Sequence, residues 1–85
     1  MTDTILHFKA TSRQAFSQFI ELLRQDLAQN PQNWENKTLD DFLAAESSYT
    51  EDIQGYYDNT SAGANADLAD WQIFADIFKG ATIYE

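Results

Sequence analysis

The chain has no cysteine, one proline, one histidine and three glycines. Without cysteine there is no disulfide framework and no thiolate metal site, and the redox compartment stays open. The single histidine, His7, stands between apolar neighbours. An acid–base role needs a positioned partner group, and the sequence marks none, so His7 reads as a packing or surface residue. Basic residues are also scarce: five against fourteen acids, for a net charge of −9. Direct binding to nucleic acid or to an anionic membrane needs a basic footprint, and that footprint is missing. No apolar run approaches the ~20 residues of a membrane span. The start, MTDTILHFKA, carries Asp3 and lacks the apolar stretch of a signal peptide. A cytoplasmic location is the expectation.

Catalytic signatures are missing as well. There is no glycine-rich phosphate loop, no HExxH, no GxSxG and no cysteine nucleophile. Neither a catalytic residue, a cofactor nor a metal is expected. DNTSAGANA, residues 58–66, imitates the start of a calcium loop with Asp58 first and Gly63 sixth. Alanines 62 and 69 then occupy positions five and twelve, where oxygen ligands are required. By composition this stretch is a linker.

What is present is a small, aromatic-rich helical chain. Eighty-five residues are expected to form a single domain, 1–85. With 44% hydrophobic and 14% aromatic residues, the composition suits a packed core rather than disorder. Hydrophobic periodicity predicts three helices, at about 12–29, 38–57 and 68–83. The expected fold is all-α: a small three-helix bundle with an irregular N-terminal segment. Residues 1–10 read as a short strand or an apolar lead-in through Ile5, Leu6 and Phe8.

The first helix has Thr11 and Gln14 at capping-box spacing. Its stripe is Phe16, Phe19, Ile20, Leu23 and Leu27, and Asn30–Pro31 stops it. In the following loop, Trp34 reads either as a lid folded over the core or as an exposed binding anchor. Thr38 caps the second helix, and Asp40 and Asp41 occupy its first turn, where the helix dipole favours acids. Its stripe runs Leu39, Phe42, Leu43, Tyr49, Ile53, Tyr56 and Tyr57. Glu46 falls inside that stripe. It should meet Arg13, Arg24 or Lys37, or lie at an unsealed edge, because a buried lone carboxylate is costly.

The third helix is capped by Asp67 or Asp70. It carries two apolar stripes, which marks it as the central helix, with Trp71 buried between the other two. Only Gln72, Asp76, Lys79 and Ile83 fill its remaining arc. Gly80 is expected to kink or fray it.

Three segments, WENKTLDDFL, EDIQGYYDN and WQIFADIFKGATIYE, resemble a family of small bacterial proteins classed as a domain of unknown function. The pattern is W-E-N-x-T-L-x-x-F-L, then E-D-x-x-G-Y-Y, then W-x-x-F-A-D-I ending in Y-E. The chain departs from it at Glu46, where an apolar residue is expected, and at Gly80, where alanine is expected. The resemblance implies a helical fold and brings no activity.

The charge is unevenly placed. Residues 1–37 hold four acids and four bases, whereas residues 38–85 hold ten acids and Lys79. Such a surface can simply keep a small protein soluble. The leading functional expectation is a non-catalytic binding module for a basic protein partner, by analogy with toxin-neutralising immunity proteins. The surface expected to bind comprises Trp34, Asp40, Asp41, Glu51, Asp52, Tyr56, Tyr57 and Asp58. One alternative is an inhibitor that mimics nucleic acid. Its acidic row, Asp40, Glu51 and Asp58, is interrupted by Ala44, Ser48 and Gly55. The other is a small enzyme with no recognisable motif.

Overall fold

The computed structural model describes residues 3–60 and 63–85. Met1 and Thr2 of the expected lead-in, and Ser61 and Ala62 of the expected linker, lie outside the described residues. The described chain is all α-helical apart from one 3-10 turn, Pro31–Asn33. A short α1 spans Asp3–Leu6, and the three long helices are α2, Arg13–Gln29, α3, Leu39–Asn59, and α4, Trp71–Ala81. No described helix is long and apolar enough to cross a membrane.

Local chemistry sets the helix starts. Ser12, not Thr11, caps α2: its hydroxyl accepts from the Ala15 N–H at 3.1 Å. Thr38 caps α3 in the same way, accepting from Asp41 N–H at 3.1 Å. Asp70, and not Asp67, caps α4, with Oδ1 accepting from Ile73 N–H at 2.8 Å. This choice starts α4 three residues later than the periodicity suggests. Leu68 is left on the exposed connection. At the other end, α3 continues two residues past Tyr57. The Thr60 hydroxyl donates to the Tyr56 carbonyl at 2.9 Å and closes its last turn.

The helix with two apolar stripes is the one both long neighbours pack against. α4 packs on α2 and on α3, while α2 and α3 make at most marginal contact with each other. One core unites Phe19, Leu23, Trp34 and Ala75 with Ile5 and Ala10 of the N-terminal segment. A second unites Ile53 and Tyr57 of α3 with Ile73 and Ile77 of α4. Phe78 packs against both. The described part of the lead-in, residues 3–10, therefore supplies the core side chains Ile5 and Ala10, from a helical turn and an irregular strap rather than from a strand.

One packing expectation is corrected. Trp71 is not buried between the other long helices; it is 36% exposed at the edge of an aromatic cluster with Phe16 and Phe74. Its position in the first turn of α4 places it at the end of the packed zone. α4 ends at Ala81, one residue past Gly80 and two short of the expected 83, and Thr82 and Ile83 follow in tighter i+3 turns. A methyl group at Gly80 would overlap the Tyr49 ring, so the glycine lets the Tyr49 ring of α3 lie directly on α4.

Candidate functional site

The sequence-predicted surface divides on folding. Asp40, Asp41, Glu51, Asp52 and Asp58 are all exposed along α3. Asp40, Glu51 and Asp58 stand on the row facing away from α4, at steps of 11 and 7 residues, or about 16 and 10 Å of helix. Asp41 and Asp52 lie on the flank beside Tyr56. None of the five forms an ion pair among the described residues. Their hydrogen bonds are to neutral groups: Tyr84 O–H donates to Asp52, and Gln54 Nε2 donates to Asp58 at 3.0 Å. That bond holds the Tyr84 phenol above its ordinary pKa.

The aromatic members separate. Tyr56 is 52% exposed and remains available to a partner. Tyr57, one residue on and about 100° round the helix, is buried, and its hydroxyl donates to Asp76 Oδ2 at 2.7 Å. Burial, then this bond, raise its pKa far above the phenol range. Trp34 is 7% exposed and works as the lid. Its indole Nε1–H donates to the buried Asp26 at 2.8 Å, and Asn30 donates to the other oxygen of that carboxylate at 3.2 Å. A buried indole needs a partner for its N–H, and α2 supplies one. Neither Trp34 nor Tyr57 can serve as an exposed anchor.

Beside Tyr56 lies a cleft of about 590 Å³ between α3, α4 and the N-terminal strap. Of the surface expected from the sequence, Trp34, Tyr56 and Tyr57 line it; the α4 wall was not expected, although the polar arc of α4 was its signal. Gln72, Asp76, Lys79 and Ile83 all line it. Gln72 accepts from Ala10 N–H at 2.7 Å and donates to Asp76 Oδ1 at 2.9 Å. Lys79 donates to the Leu6 carbonyl at 3.1 Å and lies 3.5 Å from Asp76. Both oxygens of Asp76 are thus engaged by neighbours: the carboxylate ties α3 to α4 through Tyr57 and positions Gln72 and Lys79, which in turn hold the strap. The Tyr49 hydroxyl, on the same cleft, is pushed up to about 12 by burial and by Tyr56, Asp76 and Tyr84. At neutral pH Tyr49 and Tyr57 are therefore neutral hydrogen-bonding groups rather than phenolates.

Glu46 meets none of Arg13, Arg24 or Lys37 in an ion pair among the described residues. It is partly buried one turn after Phe42, and that burial raises its pKa. Among the described residues, no three His, Asp or Glu side chains converge as a metal site would require.

A family model matches residues 12–85. The chain belongs to the family of unknown function DUF7660. The match spans all three sequence blocks that carry the resemblance. No curated protein and no solved structure matches the chain. In this DUF7660 chain the blocks bond to one another: Asp52 and Tyr57 of the second pair with Tyr84 and Asp76 of the third. Asn36 of the first donates to the Ala81 and Tyr84 carbonyls, both at 2.9 Å. These residues hold the fold together across long sequence separations.

Proposed function

We propose that this protein is a non-catalytic binding module that holds a basic protein partner against the solvent face of α3. One observation carries this reading: acids without cationic partners line a single helix, with the half-exposed Tyr56 beside them. Unpaired exposed acids attract a cationic surface over long range and speed encounter. A half-exposed tyrosine supplies an amphipathic contact that can be desolvated at the centre of an interface. Neutralisation of a basic toxin is one form such binding takes.

The test uses a partner captured on the immobilised protein and identified by mass spectrometry. Its association rate with the purified protein should fall steeply between about 50 and 500 mM salt, as the screening length drops from roughly 14 to 4 Å. The triple variant Glu51→Gln, Asp52→Asn, Asp58→Asn should slow association more than it speeds dissociation. An association rate indifferent to both salt and these substitutions would reject the reading.

A further inference from the structure

On the side of α4 away from the polar cleft, α2 and α3 leave a groove of about 300 Å³. Its walls are Ile20, Leu23 and Leu27 on α2 and Phe42 on α3, with Phe78 of α4 as floor. Nothing in the described chain covers it. Leu39, at the mouth, is 73% exposed, and Leu43, one turn on, is 53% exposed. The apolar surface continues through ring contacts from Phe78 to Phe16 at 5.5 Å and from Phe16 to Trp71 at 5.6 Å. The exposed Leu39 and Leu43 beside an uncovered apolar groove make this the candidate interaction surface.

Charge selects the occupant. The charged residues lining the groove are Arg24 and Lys37, both basic, on a chain of net charge −9. Lys37 has no ion pair among the described residues. Arg24 is paired only with Glu21, at 2.7 Å on the exposed surface, an arrangement worth little. A fitting occupant presents an exposed apolar side chain with an acid within reach of it. The chain carries that combination at the start of α3, where Leu39 is followed by the exposed Asp40, about 100° further round the helix. A two-fold interface is self-complementary, so plug and socket occur on the same molecule.

We propose that this groove is the interface of a symmetric homodimer. Leu39 of each copy seats in the groove of the other, and Asp40 meets the other copy's Lys37. Glu51, Asp52, Tyr56 and Asp58, further along α3, stay outside that interface. The proposal therefore stands or falls separately from the binding of a basic partner.

The experiment is sedimentation equilibrium of the full chain from about 1 to 200 µM in buffer of moderate salt. The expected mass tends to roughly twice 9.7 kDa as concentration rises. Leu39→Glu should weaken association at least tenfold while leaving the melting temperature of the dilute protein unchanged, since the position is exposed. Lys37→Glu and Asp40→Lys should each weaken self-association, and an equimolar mixture of the two should recover it, because every cross-pair is then opposite in sign. A monomer at every concentration overturns the proposal. So does a dimer indifferent to Leu39→Glu, or a charge-swapped mixture that associates no better than its components.

Discussion

α4 has two sides that neither α2 nor α3 fills. On one, Gln72, Asp76 and Lys79 face a cleft whose rim the N-terminal strap forms, tied to α4 by hydrogen bonds from Ala10 and to Leu6. On the other, Phe78 floors a groove that no segment closes. A polar surface can be sealed by a few directed bonds, because each strap N–H and C=O that meets a side chain is satisfied without further area. An apolar surface can be sealed only by area, and the connection from α2 to α3 contributes a single aromatic, Trp34. Trp34 touches both openings. On the polar side directed bonds tie a further segment to α4; on the apolar side no segment crosses the groove.

The strongest way to break the contrast is to remove the residue both sides share. Trp34→Ala should cost roughly 3–5 kcal/mol, from lost burial and from the stranded Asp26 carboxylate. Chemical denaturation should show the loss as a lower midpoint, with both openings merging. A variant as stable as wild type would mean that Trp34 is peripheral to each.

A smaller effect is expected where α3 meets α4. Gly80→Ala gains up to about 1 kcal/mol of helix propensity and incurs roughly 1–3 kcal/mol of overpacking against the Tyr49 ring. The net expectation is a loss near 1 kcal/mol in thermal or denaturant unfolding. A stabilised variant would show that Tyr49 swings aside freely and that the close approach is not required.

The smallest effect belongs to the groove side. Burial raises the Glu46 pKa above its ordinary 4.5. A raised acid favours folding below its unfolded pKa, and the contribution is lost as pH climbs from there through the folded value. At neutral pH the charge is a mild burden, so Glu46→Gln should stabilise by less than about 1 kcal/mol, discounted because the side chain is partly solvated. The advantage should shrink as pH falls below 4.5. A variant deficit at pH 7 that narrows as pH falls below 4.5 would instead indicate a cationic partner for Glu46.

Much of this was legible in the residues. The two stripes of α4 announce a helix packed from two sides, and its polar arc turns out to be the wall of the cleft. Thr38 and Asp70 act as caps because the bonds they make span only three residues. The candidate site was legible in part. The acids of α3 are exposed because they lie off the stripe, but Tyr56 and Tyr57 both lie on it, and only their contacts separate them. Tyr57 is drawn inward by Asp76, nineteen positions away. Trp34 could be lid or anchor until Asp26 was seen to receive its N–H. Gly80 looks like a helix flaw until Tyr49 is set against it.

The sequence by itself determined where the long helices lie to within about three residues, because periodicity and capping act within one or two turns; it marked their apolar stripes but not that Ile20, Leu39, Leu43 and Tyr56 on those stripes stay exposed. It also determined that the excess charge falls on the second half of the chain. Tertiary structure alone decided that Ile5 and Ala10 join the core, that Ala10 meets Gln72 across 62 positions, and that the N-terminal strap is tied to one side of α4 while no described segment crosses the other. Those outcomes depend on which side chains meet across long loops, and a local pattern says that a surface is apolar or polar without saying what will cover it.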